Sequence, residues 1–442
     1  MKKHISLIMA GALACGTLLS ACGASSNSGS ESSSTSGASS TGEKTVMTLS
    51  CLNGGNNQKF ADLMLKQIEE FNASNSYNVE IRQEAYSNDQ YKTKIATLMA
   101  SNSQPDLFMT FESGWLEPFV EGGKVYPIGD KFTQDTEWQG RFDDKSVFEP
   151  LTFDGKIYAM TGIQQITVLA YNKALFDAAG ATVPTTYSEF LETCEKLKNS
   201  GTVPLVIPCK EAWYGGQFLQ QLSNGIGGTA LFNGIRDGSR TWDDAAFVEA
   251  GTALQELVNK EYLPSGFLGM SGDEGYEMFN SGKAAMINML TSALTQINKT
   301  DSAVYKDIEF FRLPTDIAEN AGVNVGSIGQ SYAVSSKAEN IDAAVEFVKS
   351  LSTPEFQLSL AYDCGQVIVT NAQVDNSKID PLSAKLSPLF AEVTTYTPWF
   401  DRVFGSGEGG EFNNAAVAIM GGDDSAVAMG RQQQFAVDNS NR

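Results

Sequence analysis

Side-chain amides, carboxylates and aromatic rings come together at a small number of points along this 442-residue chain. They are Asn53, Asn56 and Asn57; Glu84; Phe111, Glu112 and Trp115; Gln164 and Gln165; Trp213 and Tyr214; Asn288; and Trp399, Phe400 and Asp401. Planar amides and carboxylates take the hydroxyl edges of a ligand while flat rings cover an apolar face of C–H bonds, the two demands a sugar makes of its site. Each residue also has an ordinary reading. The asparagines can form turns, Gln164 can face solvent, and Trp115 can pack between a helix and a sheet; for any single ring, core packing and ligand stacking compete evenly. Trp399 stands apart because Thr397-Pro-Trp-Phe-Asp401 is an irregular, Pro-bearing segment, whereas Trp138 and Trp242 have no such setting and are assigned to packing.

Several chemistries are excluded. The one histidine, His4, lies in an N-terminal leader, so the exported chain would hold none, which rules out a Ser-His-Asp or Cys-His set and any histidine metal ligand. No pair of carboxylates stands out as flanking one glycosidic bond, and the expectation is a protein that is not an enzyme. With Cys15 in the leader and Cys22 modified, Cys51, Cys194, Cys209 and Cys364 remain, without C-x-x-C spacing; neither a metal nor a cofactor is expected. Cys194 on an apolar helical face and Cys51 in a strand suit buried thiols, while export would also permit a Cys194–Cys209 bridge. Gly405-Ser-Gly-Glu-Gly-Gly410 formally satisfies G-x-G-x-x-G, but no clear strand precedes it and Glu408 would repel a pyrophosphate, so it reads as a mobile surface loop. The net charge of −21, or −23 once Lys2 and Lys3 leave with the leader, repels nucleic acid and suits a neutral or cationic ligand.

The elements that must position these residues follow from periodicity. Lys2 and Lys3, then the apolar run Ile5 to Leu19, form a signal peptide over 1–21, too short to span a bilayer stably. Leu19-Ser-Ala-Cys22 resembles a bacterial lipobox, so Cys22 is the expected lipidation site, and the Ser/Gly-rich 22–45 is a flexible tether that cannot bury a core. From Val46 onward strands alternate with helices: Val46 to Cys51, a helix with Phe60, Met64, Ile68 and Phe71 on one face, a strand at Tyr77 to Ile81, a helix with Tyr91, Ile95 and Leu98 inward, and a strand at Pro105 to Met109. This order predicts a mostly parallel α/β sheet with ligands at the strands' carboxyl ends, near Leu52 to Gln58, Glu84 to Asn88 and Thr110 to Trp115. Ile166 to Tyr171 reads as a buried strand, Asn172 as a cap, Gly180 as a stop, Thr186 with Glu189 as a capping box for a helix whose apolar face is Tyr187, Phe190, Leu191, Cys194 and Leu197, and Val203 to Ile207 as the next strand; together they predict a βαβ unit.

The stretch YAMTGIQQITVLAYNKALFDAAG with its continuation PTTYSEFLETCEKLKNSGTVPLVIP, together with FNSGKAAMINM (Phe279 to Met289) and SYAVSSKAENIDAAVEFVKSLSTPEFQ (Ser331 to Gln357), resembles the maltose-binding-protein-like, extracellular sugar-binding proteins of ABC importers. The resemblance implies an α/β, periplasmic-binding-protein-like fold: two α/β lobes joined by multiple hinge crossovers, with a ligand cleft between them. Lobe 1 would comprise 46–165 and 328–374, and lobe 2 166–327 and 375–442. It implies a membrane-anchored, monomeric component that captures a carbohydrate and delivers it to the transmembrane subunits of an ABC permease, exported and held by its lipid on the outer face of the cytoplasmic membrane, with no nucleic-acid partner. Gln165, six residues before Tyr171, falls where that family often places a polar contact. Where the family often shows Gly-x-Trp after its Gly-Lys-x-x-Met, this chain reads Ile287-Asn-Met-Leu-Thr291 and offers no stacking tryptophan at that wall. The alternatives are the same scaffold holding a polyol, polyamine or peptide, an exported carbohydrate-active enzyme, or a surface adhesin or sensor without a permease.

Overall fold

The computed structural model describes residues 43–52 and 58–439. The leader, most of the tether, Cys15, Cys22, Asn53, Asn56 and Asn57 lie outside the described residues. From the amino end, β1 (Thr45–Cys51), β2 (Val79–Ala85) and β3 (Leu107–Thr110) are mutually parallel, with Thr45 opposite Val79 and Leu49 opposite Leu107. The connecting helix Gln58–Ser74 buries Phe60, Met64, Ile68 and Phe71, the face its spacing predicts. In Asn88–Ala100 the inward residues are Tyr91, Ile95 and Met99; Leu98, predicted inside, is only half-buried because the helix turns Met99 into the i+4 position from Ile95. A hairpin, β4 (Thr152–Phe153) and β5 (Lys156–Ile157), precedes β6 (Ala159–Thr161).

Beyond Gly162 the chain enters a second sheet as β7 (Ile163–Asn172), followed by β8 (Val203–Val206), β9 (Ala284–Leu290), β10 (Ile308–Phe311) and β11 (Val323–Ile328). It returns through Gly329 and Gln330 to β12 (Ser331–Val334), then forms β13 (Val367–Ile368) and β14 (Thr395–Thr397). The first sheet runs β2-β1-β3-β12-β6, and the second β14-β11-β7-β9-β8 with β10 and β13 also on β7. Each sheet has its own core. Phe71, Phe108, Trp138 and Phe347 belong to the first, while the alternation of β7 sends Leu169 and Tyr171 to one face of the second sheet and Ile166, Val168 and Ala170 to the other. A strand covered on both faces is mostly apolar, hence the run ITVLAY, in which the hydroxyl of buried Thr167 is hydrogen-bonded.

Two expectations besides Leu98 are corrected. β7 and β8 do not form a parallel βαβ unit: β9 lies between them, parallel to β8 and antiparallel to β7. The direction of β7 is set by its entry through Gly162 from the other sheet, not by the helix that follows it. For the same reason the first sheet is mixed, since β12 and β6 run antiparallel to their neighbours. Around β7 the two caps and the stop hold, but the capping box forms only in half, because the Glu189 carboxylate reaches one residue further back, to Thr185 rather than Thr186. Asn172 Oδ1 accepts from Leu175 N–H, Gly180 adopts φ 63°, and Thr186 Oγ1 accepts from Glu189 N–H; the Glu189 carboxylate bonds the Thr185 N–H and hydroxyl, both at 2.8 Å. Gly405–Gly409 is the second correction: it is a π-helical turn leading into the helix Gly410–Met420, and it is fastened from inside. Trp242 Nε1 donates to Glu408 Oε1 at 2.6 Å and Gln432 Nε2 donates to the Glu408 carbonyl at 3.1 Å.

Cys194, Cys209 and Cys364 are buried free thiols, with Cys209 Sγ 3.6 Å from Met420 Sδ, so no Cys194–Cys209 bridge forms. Burial raises the Cys194 thiol well above the ordinary range and pushes Cys209 and Cys364 up to about 12. Because the thiolate is the nucleophile, these three should resist iodoacetamide at mildly alkaline pH in the folded protein and react once it is unfolded. Peptide mass mapping before and after denaturation checks this.

Candidate functional site

The turns at the carboxyl ends of the first sheet face the helix starts and loops of the second across a cleft of about 360 Å³. Leu52, Ser87, Asn88, Asp89, Lys92 and Phe111 line it from the first side. From the second come Trp213, Tyr214, Gln217 and Gln220 on the helix Trp213–Arg236, Tyr276, the turn Ser292 to Gln296, and Trp399 to Arg402, while Gln165 and Gln330 lie on the strands and links that cross between the sheets. The crossings leave little room. A Cβ on Gly162 would run into the Gln357 amide and one on Gly329 into the Ile163 side chain.

Arg402 holds the base of the cleft together. Its Nη1 lies 3.3 Å from both carboxylate oxygens of Glu112 and donates to the Ile328 carbonyl at 3.2 Å. The guanidinium sits 4.1 Å from the Trp399 ring centroid and 4.8 Å from that of Phe111. The Gln165 amide satisfies its neighbours when its oxygen accepts from Arg402, at 3.1 and 3.2 Å, and its nitrogen donates to Ser292 Oγ at 2.5 Å. Glu112 is wholly buried; desolvation raises its carboxyl, and the charge of Arg402 pulls it back. A second ion pair, Lys92 to Asp401 at 3.3 Å, lies beside it, with Asn413 Nδ2 donating to the same Asp401 oxygen and Lys92 Nζ over the Phe111 and Trp115 rings.

The second wall is shaped by amides. Gln220 Nε2 donates to the Pro398 carbonyl at 2.8 Å and its oxygen accepts from Phe400 N–H at 3.0 Å, which fixes the turn carrying Trp399. Asn224 bonds Thr397 Oγ1 at 2.6 Å and Gln217 Nε2 bonds Thr167 Oγ1 at 3.0 Å. The Trp213 and Tyr214 rings stack with centroids 3.6 Å apart. Around the cleft Gln217 Oε1, Gln330 Oε1, Trp213 Nε1 and Trp399 Nε1 are buried without a hydrogen-bond partner in the protein. Buried polar atoms are almost always paired, so these two acceptors and two donors, beside the half-buried Trp213 ring, are what a ligand with alternating hydroxyls and C–H faces would complete.

Of the residues expected from sequence, Phe111, Gln165, Trp213, Tyr214, Trp399, Phe400 and Asp401 are brought together on the cleft wall. Glu84, Glu112, Trp115, Gln164 and Asn288 are not. Glu84 is exposed at the end of β2 and accepts from Tyr86 Oη. Glu112 sits behind the floor against Arg402, and Trp115 is buried with its ring edge-on to Phe111, 5.5 Å away. Gln164 lies in the backbone ladder between Ile328 and Val367, and Asn288 is covered by the helix above it, its oxygen accepting from Gln221 Nε2 at 3.0 Å. Lys92, Arg402, Gln217, Gln220, Tyr276 and Gln330 are lining residues with no place in the sequence-based set. For the helix a signal exists: Gln217, Gln220, Gln221 and Asn224 recur on one face of a stretch, Trp213 to Gly228, that is otherwise apolar, aromatic or glycine except for Ser223.

A family model described as bacterial extracellular solute-binding protein matches residues 54–358. The multiple sugar-binding protein of Streptococcus mutans is 25% identical over 235 residues, 52% of this chain and 55% of that protein, so the chain spans about half the length of this relative. The diacetylchitobiose binding protein DasA of Streptomyces coelicolor is 25% identical over 303 residues, 67% of each. A solved structure from work on xylan utilization by the thermophilic bacterium Caldanaerobius polysaccharolyticus superposes with a TM-score of 0.82 at 28% identity, covering 88% of this chain and 99% of that one.

Proposed function

The chain belongs to the bacterial extracellular solute-binding protein family, and from that premise we propose that it captures a neutral oligosaccharide in the cleft and delivers it to the membrane subunits of an ABC importer. The observation that carries this reading is the cleft itself, where Phe111, Trp213, Tyr214 and Trp399 stand beside Gln165, Gln217 and Gln330, with polar atoms still lacking partners. A ligand bridging both walls favours the closed arrangement by its differential affinity, which is the form a permease would recognise. No bond is made or broken. Lobe 1 as 46–165 with 328–374, lobe 2 as 166–327 with 375–442, a lipid on Cys22 and a monomeric state complete the proposal; the basic, apolar and small-residue order of the leader supports the anchor. The named relatives, which bind sugars and diacetylchitobiose by their descriptions, support the ligand class.

A panel of neutral oligosaccharides with spermidine and a short peptide should therefore yield stabilisation by at least one glycan, about 2.7 kcal/mol when the ligand is present at 100 times its Kd. Chromatography of the recovered ligand should show no product. Glu211 and Asp273 at the cleft edge favour one second reading, a polyamine. Stabilisation by spermidine with none by any glycan would replace the sugar with the amine.

A further inference from the structure

A second, open cavity of about 250 Å³ adjoins the cleft at Trp213. Asp89, Lys92, Trp213 and Asn413 line both spaces; Ala212, Ser406, Gly407, Gly410, Glu411 and Asn414 complete the second. Its walls are mostly hydrogen-bonding side chains and glycine backbone, with Ala212 the one apolar aliphatic residue and Trp213 the one ring. The glycine run 405–410 forms one wall, and its glycines divide into two kinds. Gly405 needs its residue type for φ 69°, and a Cβ on Gly409 would strike the backbone of Phe400 and Asp401. Gly407 and Gly410 have no such need, since a Cβ on either meets no heavy atom within 4 Å. A side chain there would project into open space. The turn is also fixed in place, because Glu408 points inward to Trp242 and its carbonyl accepts from Gln432.

Building on the functional reading above, we infer that the oligosaccharide continues past the Trp213 ring into this second cavity, so that the protein selects chains longer than the main cleft alone encloses. The main cleft lies near the lower end of the roughly 300–1,000 Å³ of ligand pockets, and a polar chamber beyond a stacking ring suits further hydroxyl-bearing units better than an apolar group. The Trp213 indole N–H, buried without a partner at the junction, supplies a donor to a unit passing over it. Gly407 and Gly410 keep the passage clear.

The test is calorimetry with linear neutral xylo- and chito-oligosaccharides from the disaccharide to the hexasaccharide, on wild type, Gly410→Phe and Asn414→Trp. Gly410 has helical backbone angles that any residue adopts, and Asn414 is exposed, so the two substitutions fill the chamber from separate positions. In wild type the affinity should rise with length beyond the disaccharide. In both variants the ratio of hexasaccharide to disaccharide affinity should fall by at least about tenfold. An unchanged ratio in variants that melt like wild type overturns the inference while leaving the functional reading intact, and so does a wild-type affinity that is flat with length. Binding of no glycan at all overturns the functional reading and this inference with it.

Discussion

Arg402→Met is expected to destabilise the protein by about 3–5 kcal/mol, the range for removing one partner of a buried ion pair. Methionine keeps much of the side chain's length against Trp399 but brings no charge, so Glu112, wholly buried, loses the charge that opposes its desolvation and keeps only its hydrogen bonds to Ser327 and to backbone. The effect carries a pH signature. Burial holds the Glu112 carboxyl above the usual range even with the guanidinium beside it. A carboxyl that binds its proton more tightly in the fold contributes stability that is complete below its unfolded pKa and lost as pH rises through the folded one. Removing Arg402 deepens that loss, so the deficit should be largest at neutral pH and shrink in mild acid. Thermal melts at the two pH values read this directly, and Glu112→Gln added to Arg402→Met should recover part of the deficit at neutral pH. Equal deficits at both pH values would assign the effect to lost packing.

Trp213→Ala should weaken the best oligosaccharide by about 30-fold, or roughly 2 kcal/mol, with little change in melting temperature. Its ring stacks on Tyr214 and is only half-buried, so its removal opens no core cavity. Trp399→Ala should weaken binding to a similar degree but also lower the melting temperature, because that ring is 5% exposed and covers the Arg402 guanidinium. Calorimetry paired with melts separates the two signatures. Unaltered affinity in both variants would remove these rings from the site without touching the family assignment.

The contrast between these residues shows what was legible beforehand. Periodicity finds elements because it is a local property: the inward face of Gln58–Ser74 and the cap at Asn172 depend on residues a turn apart. Rings and amides in loops near strand ends are also visible, which is why Phe111, Trp213 and Trp399 could be named. Arg402 and Lys92 could not, because their partners are Glu112 and Asp401, hundreds of positions away in sequence. Asn288 shows the opposite error. Its amide looks suited to a ligand, yet the helix bearing Gln221 claims it, and nothing local to FNSGKAAMINM reveals that helix. Strand direction failed for a related reason, since the course of β7 is dictated by its exit from a different sheet.

The place of β12 in the first sheet, between β3 and β6, has a consequence for how the chain is made. As synthesis proceeds, β3 emerges early and β6 soon after, but the strand that joins them appears only once β7 to β11 of the second sheet have followed. Until then β3 presents an unpaired edge and the surrounding core stays incomplete, the condition in which nascent polypeptides aggregate or recruit chaperones. Pairings of such wide sequence separation also form slowly. The first sheet therefore stays open through most of the chain's own synthesis, and a strand made late is what locks it shut.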